Sequence, residues 1–179
     1  MIYIHRRVPI LSLFLIALVP FAFSTCDDDP SSPDSEPLSD EALFSMATAD
    51  SNWTWFLRSA DTLETASTLS GHNEPLVRTR YNETAENHLD SEGKVKNGTT
   101  FNEESMIVKE LYLSDGTLNS VAVMLKRSTS DFADEADWVW GYYQANGTVR
   151  KSIEDLGSGC RGCHQPGIDY TMMNAGHTN

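Results

Sequence analysis

Two cysteines three positions apart, with a histidine directly after the second, stand near the end of this 179-residue chain as Cys160-Arg161-Gly162-Cys163-His164. Two thiols at that spacing can add across the two vinyl groups of a haem. The adjacent imidazole is then aimed at the iron from the same side, so the motif predicts covalent attachment through Cys160 and Cys163 with His164 as the iron ligand. Other chemistries use parts of this pattern. A thioredoxin-like CxxC opens a helix in a βαβ unit early in a domain, whereas this one follows segments that read as hairpins. A structural zinc site needs a second ligand pair, and the remaining histidines considered for it, His72, His88 and His177, are scattered. An oxidised structural disulfide stays open as the alternative. The position of the motif also sets the type of haem protein. Helical electron-transfer cytochromes carry it at the start of the domain and supply a methionine ligand many tens of residues later, and only residues 165–179 follow His164 here. Met172 and Met173 emerge on the same side as His164 and are expected to pack beside the ring. The other face of the iron is then expected to be open to small ligands.

Haem attachment of this kind takes place outside the cytoplasm, and the N-terminus agrees with export. Arg6 and Arg7 precede an uncharged apolar run from Val8 to Phe23 that is too short to span a bilayer stably. Residues 1–25 read as a signal peptide. Phe23-Ser24-Thr25-Cys26 is similar to a lipoprotein cleavage site, which would make Cys26 the lipidated first residue; cleavage after Ser24 to give a free protein is the alternative. Residues 26–38 form an acidic, Pro/Ser-rich tether, and residues 39–179 make one domain by size. The expected location is periplasmic or at the cell surface, held to the membrane by the lipid alone. The three cysteines are all accounted for by Cys26, Cys160 and Cys163. The formal net charge is −13, and loss of Arg6 and Arg7 with the leader makes it more negative. Nucleic acid and anionic membrane surfaces are poor partners for such a surface. A basic redox partner that accepts electrons, or a small neutral or cationic substrate, suits it better.

Within the domain, Ser39 can cap a short helix through Asp40–Phe44. Trp53, Trp55 and Phe56 make a bulky apolar cluster. Leu76–Tyr81 alternates like a strand, and Asn82 is expected to cap a helix of about a dozen residues. Met106–Leu113 and Asn119–Lys126 flank Asp115-Gly116 as one hairpin; Trp138–Tyr143 and Thr148–Lys151 flank Asn146-Gly147 as another. Strand alternation puts Ile107, Lys109, Leu111 and Leu113 on one face, with Met106, Val108, Glu110 and Tyr112 on the other. Lys109 thus sits between apolar neighbours, although a solvated strand lysine is the ordinary reading. Trp138, Trp140 and Tyr142 share a face.

From Gly71 to Met172 the order of segments resembles the cytochrome P-460 family and its sister group, cytochrome c′-beta. The segments are VRTRYN with an acidic helix after it, GTTFNEESMIVKEL, VAVMLKR, DWVWGYY, and CRGCHQ followed by IDYT. The resemblance implies an α+β domain dominated by an antiparallel sheet, with flanking helices and the haem set against one end, often in a homodimer. It implies haem c and iron as cofactor. Members of the P-460 branch bond a lysine to a meso carbon of the haem and oxidise hydroxylamine, and Lys109 in MIVKEL matches that lysine. The c′-beta branch has the fold without the bond and binds nitric oxide. A carboxylate near the open face is expected for proton transfer; Asp155 and Glu154 are the candidates, with Glu110 as second choice. Phe101, Trp138, Trp140 and Tyr142 are expected to line the pocket or core, and His72 is a further candidate. Two functions remain open: a hydroxylamine-oxidising enzyme that passes electrons to an external acceptor, and a gas-binding protein without turnover. Plain electron transfer would require a second axial ligand.

Overall fold

A computed structural model describes residues 37–58, 63–66 and 71–173. The signal peptide, Cys26 and nearly all of the tether lie outside the described residues. No helix among the described residues is long and apolar enough to cross a membrane.

The chain enters helix α1 (Asp40–Thr48) through Ser39, whose hydroxyl accepts a 3.1 Å bond from Ala42 N. Leu43 and Ala47, one helical turn apart, are its fully buried positions. Asp40 ties the helix to the sheet and to the turn beyond it, because it accepts from the Tyr143 hydroxyl at 2.9 Å and from the Ser152 hydroxyl at 2.6 Å. The strands follow as β1 (Thr54–Trp55), β2 (Glu64–Thr65), β3 (Leu76–Tyr81), β4 (Met106–Tyr112), β5 (Leu118–Lys126), β6 (Trp138–Gln144) and β7 (Val149–Lys151). All pairings are antiparallel, in the order β1-β3-β4-β5-β6-β7 with β2 also against β3. The α+β fold class expected from the sequence is what the chain adopts.

Local chemistry explains the hairpins. Asp115 and Asn146 each accept a bond from the backbone two residues on, and Gly116 and Gly147 follow them with φ of 82° and 87°. A side-chain turn followed by a left-handed residue reverses the chain tightly. After β3, Asn82 caps a helix as expected, accepting from Ala85 N at 3.0 Å, but α2 covers only Glu83–Glu86 rather than a dozen residues. The physical reason lies at Asp90. Its carboxylate accepts from Glu92 N and Lys94 N, both at 2.9 Å, and a bridge joins Leu89 to Val95. These local bonds compete with a continuing helix, and here they win.

Both faces of the central sheet are covered. One carries Met106, Val108, Val121, Val123, Leu125, Val139 and Tyr143 against α1 and Ile153. The opposite face carries Tyr81, Ile107, Met124, Trp138 and Trp140 with Phe101 and Met173. The second face holds the site.

Candidate haem site

The register sets two rows of side chains side by side on that face. Thr79, Lys109, Ala122 and Tyr142 are successive cross-strand partners on β3, β4, β5 and β6; Tyr81, Ile107, Met124 and Trp140 form the next row. All of these except Tyr81 line one cavity, which is open on one side. Its walls are mainly apolar.

The C-terminal segment closes over these rows. After β7 comes a single 3₁₀ turn, Ile153–Asp155, which ends at Leu156 in the left-handed conformation. Gly157 follows with φ of 71°, and a Cβ there would come within 2.5 Å of the Trp140 ring. The chain can pass so close to Trp140 only as glycine. It then makes one helical turn, α3 (Arg161–His164), with Cys160 as its N-cap and His164 N bonded to Cys160 O at 3.2 Å. Residues three and four apart on a helix lie on one side. Cys160, Cys163 and His164 accordingly all line the cavity, both cysteines as free thiols. Burial pushes the Cys160 thiol upward, with Lys151 opposing.

His164 is held by two contacts. Its ring meets Trp140 edge to face, centroids 5.0 Å apart, and its Nδ1 lies 2.9 Å from Tyr170 O. A carbonyl oxygen only accepts, so Nδ1 carries the proton and Nε2 keeps its lone pair. That is the tautomer an iron-ligating imidazole needs. Burial lowers the His164 pKa, the Tyr170 bond opposes this, and the nearby Lys109 charge lowers it further.

The Tyr170 carbonyl is itself anchored. Asp169 and Tyr170 both have positive φ, 44° and 65°, in a turn fixed by the Asp169 carboxylate. That carboxylate takes two 3.1 Å bonds from Lys126 Nζ and one of 2.8 Å from Phe101 N. The Trp138 indole donates to Asp169 O at 3.1 Å. On the other flank, Asp134 accepts from the Trp140 indole at 2.8 Å and faces Arg161 of the motif at 3.3 Å.

The Cytochrome P460 family model matches residues 57–172, more than half of the chain and all of the cavity wall but Met173. The chain belongs to the cytochrome P460 family. No curated protein sequence matches it. Membership makes it a haem cytochrome, with covalent haem c and its iron as the cofactor. The residues present fit that group: an apolar cleft, two free thiols on one helical turn, and an imidazole whose Nε2 is available.

Residues expected from the sequence divide between this P460 site and other parts of the fold. Lys109, His72, Trp140, Tyr142, Met172 and Met173 all line the cavity with the motif. Burial lowers the Lys109 pKa, with Glu64 the opposing charge. Burial, then Lys109 and His164, lower His72 to about 4, against a smaller opposing effect of Glu74. Phe101 and Trp138 belong to the core beneath and pack edge to face at 5.7 Å. The acids are elsewhere. Glu154 and Asp155 are exposed, and Asp155 accepts from Ser152 N in a capping box. Glu110 is buried on the opposite face, bonded by Arg78 and Tyr112 with Arg80 at 3.2 Å; alternation places it one step from Lys109 and therefore on the reverse side of the sheet. No carboxylate lines the cavity among the described residues. Sequence reading missed Thr79 and the Lys126–Asp169 anchor. Both depend on pairings across many residues, and no local motif signals them.

Proposed function

We propose that this cytochrome is exported, holds one haem through thioether bonds from Cys160 and Cys163 with His164 Nε2 on the iron, and carries out redox chemistry on small nitrogen compounds such as hydroxylamine. The observation that carries the reading is the position of Lys109. An ammonium in a mainly apolar cavity, depressed by burial and opposed by Glu64, has no packing reason to be there. A bond from its nitrogen to a meso carbon of the haem, replacing one N–H and the meso C–H with loss of two protons and of two electrons to an external two-electron oxidant, would remove the charge. When bound, the haem supplies an iron that takes a small ligand and passes electrons onward. The protein's own part is to fix that iron through His164, to keep water out with Ile107, Met124 and Trp140, and to handle protons. With no carboxylate in the described lining, His72 is the side chain with a basic nitrogen that remains for that role. Electrons would leave to an external acceptor, basic on its docking face to match the acidic surface, while a lipid on Cys26 keeps the protein at the membrane.

A second reading, a nitric oxide-binding protein without turnover, is favoured by the same lack of a lining acid, because a ligand without protons needs none. The two separate in the absorption spectrum. Protein from a host competent for c-type haem maturation should show a strongly red-shifted main band when reduced, and Lys109→Ala should return it to an ordinary c-type spectrum. An ordinary spectrum in the wild type would leave the gas-binding reading in place. Colourless protein of unmodified mass would end both.

A further inference from the structure

Thr79 is the least expected member of the cavity wall. Its side chain is 2% exposed, yet its hydroxyl has no hydrogen-bond partner among the described residues. Buried hydroxyls are nearly always bonded, and valine would fill the same volume on a strand without leaving a donor and acceptor unmet. Neighbours on its own face of β3 are Val77 and Tyr81, so an apolar residue would match its surroundings. Cross-strand pairing puts Thr79 directly opposite Lys109, and the cavity reaches it. His72 lies on the same cavity wall, its ring edge to face with Tyr142 at the far end of the Thr79 row, centroids 5.6 Å apart.

We propose that the Thr79 hydroxyl is a ligand-binding group of the haem cavity, which hydrogen-bonds a small nitrogen ligand bearing N–H or O–H groups and so favours it over a diatomic gas. The proposal rests on the reading above that small nitrogen compounds reach the iron, and it adds the selection among them. A hydroxyl can accept from an N–H and donate to an oxygen lone pair. Hydroxylamine offers both partners. Nitric oxide has no proton to give and is a weak acceptor, so the same hydroxyl does little for it. A site that presents a polar group to its ligand discriminates against one that leaves this group unpaired. The surrounding wall of Ile107, Ala122 and Met124 keeps the bond out of competition with water.

The test uses haem-loaded protein and reads binding rather than turnover. Hydroxylamine, without an electron acceptor, and nitric oxide are each titrated into wild type, Thr79→Val and Thr79→Ser, and iron ligation is followed by absorption. Thr79→Val should weaken hydroxylamine binding by roughly five- to tenfold, as expected for one lost hydrogen bond, while nitric oxide affinity changes by less than about twofold. Thr79→Ser should stay near wild type for both. Equal hydroxylamine affinity in wild type and Thr79→Val overturns the proposal and leaves the functional reading standing. A parallel loss for both ligands also overturns it, since the residue would then act on haem placement alone. Wild-type protein that takes nitric oxide but no hydroxylamine overturns the proposal and the enzyme reading together.

Discussion

Lys109 and Glu110 are neighbours in the sequence, both charged and both on the central strand, yet the two faces of the sheet treat them in opposite ways. Glu110, 6% exposed, is fully provided for: Arg78 and Tyr112 donate to it, Arg80 closes the pair at 3.2 Å, and Arg78 and Arg80 stack over Trp55 and Trp53 at 3.9 and 4.7 Å. Lys109 has burial against it and Glu64 as its opposing charge, beside a threonine whose hydroxyl is unmet. The Glu110 charge is answered by arginines of the same chain, although Arg80 Nε has no hydrogen-bond partner among the described residues. The Lys109 charge faces the cavity instead. Charge satisfaction, rather than hydrophobicity, therefore separates the structural side of this fold from its functional side, since both carry apolar cores.

The largest expected effect lies on the Glu110 face. Glu110→Gln leaves Arg80 and Arg78 without their counter-charge and should lower unfolding free energy by about 3 kcal/mol, read by urea denaturation. The haem spectrum should not move. A shifted spectrum with unchanged stability would reverse the roles assigned to the two faces. Next is the pH dependence of the cavity face. The folded His72 imidazole is held at about 4 against an ordinary 6.5, so between those values the unfolded chain binds more protons and stability falls as pH falls. In haem-free protein this loss amounts to at most about 3 kcal/mol, present in full near pH 4 and absent above pH 7. The groups that set it are Lys109, His164 and Glu74, with Tyr142 packed against the ring. Denaturation midpoints at pH 7 and 4.5 should differ less in His72→Gln than in wild type. The smallest effect sharpens the contrast most. Lys109→Met should stabilise the haem-free protein by about 1 kcal/mol, because burial of the ammonium outweighs its attraction to Glu64. A loss of stability would mean that Lys109 is a structural residue after all.

Much of this was legible in the sequence where the signal is local. The hairpin turns at Asp115-Gly116 and Asn146-Gly147, the caps at Ser39 and Asn82, strand β3 and the apolar side of Lys109 all follow from side-chain chemistry or period-two alternation, and the structure agrees. The motif announced Cys160, Cys163 and His164. What failed was proximity along the chain used as a guide to proximity in space. Glu154 and Asp155 lie just before the motif, but a single turn ends there in a capping box and leaves them in solvent. The helix after Asn82 is shorter than its pattern predicts because Asp90, eight positions on, competes for backbone amides. Thr79 reads as an ordinary strand residue in LVRTRY until its partner across β4 is known. Two-residue strands such as β1 and β2 carry too little pattern to be seen at all.

With His164 as the proposed iron ligand, its bond to the main chain at Tyr170 would bear on the electronics of the iron. A carboxylate in that place would pull harder on the imidazole proton, make the ring a stronger electron donor and favour the oxidised metal; a peptide oxygen gives a milder donor. It also cannot titrate, and no replacement of the tyrosine side chain deletes it. Under that proposal the donor strength of the imidazole would be written into backbone geometry, insulated from acidity and from most point mutations, and it is the left-handed bend at Asp169 and Tyr170 that selection would have to preserve.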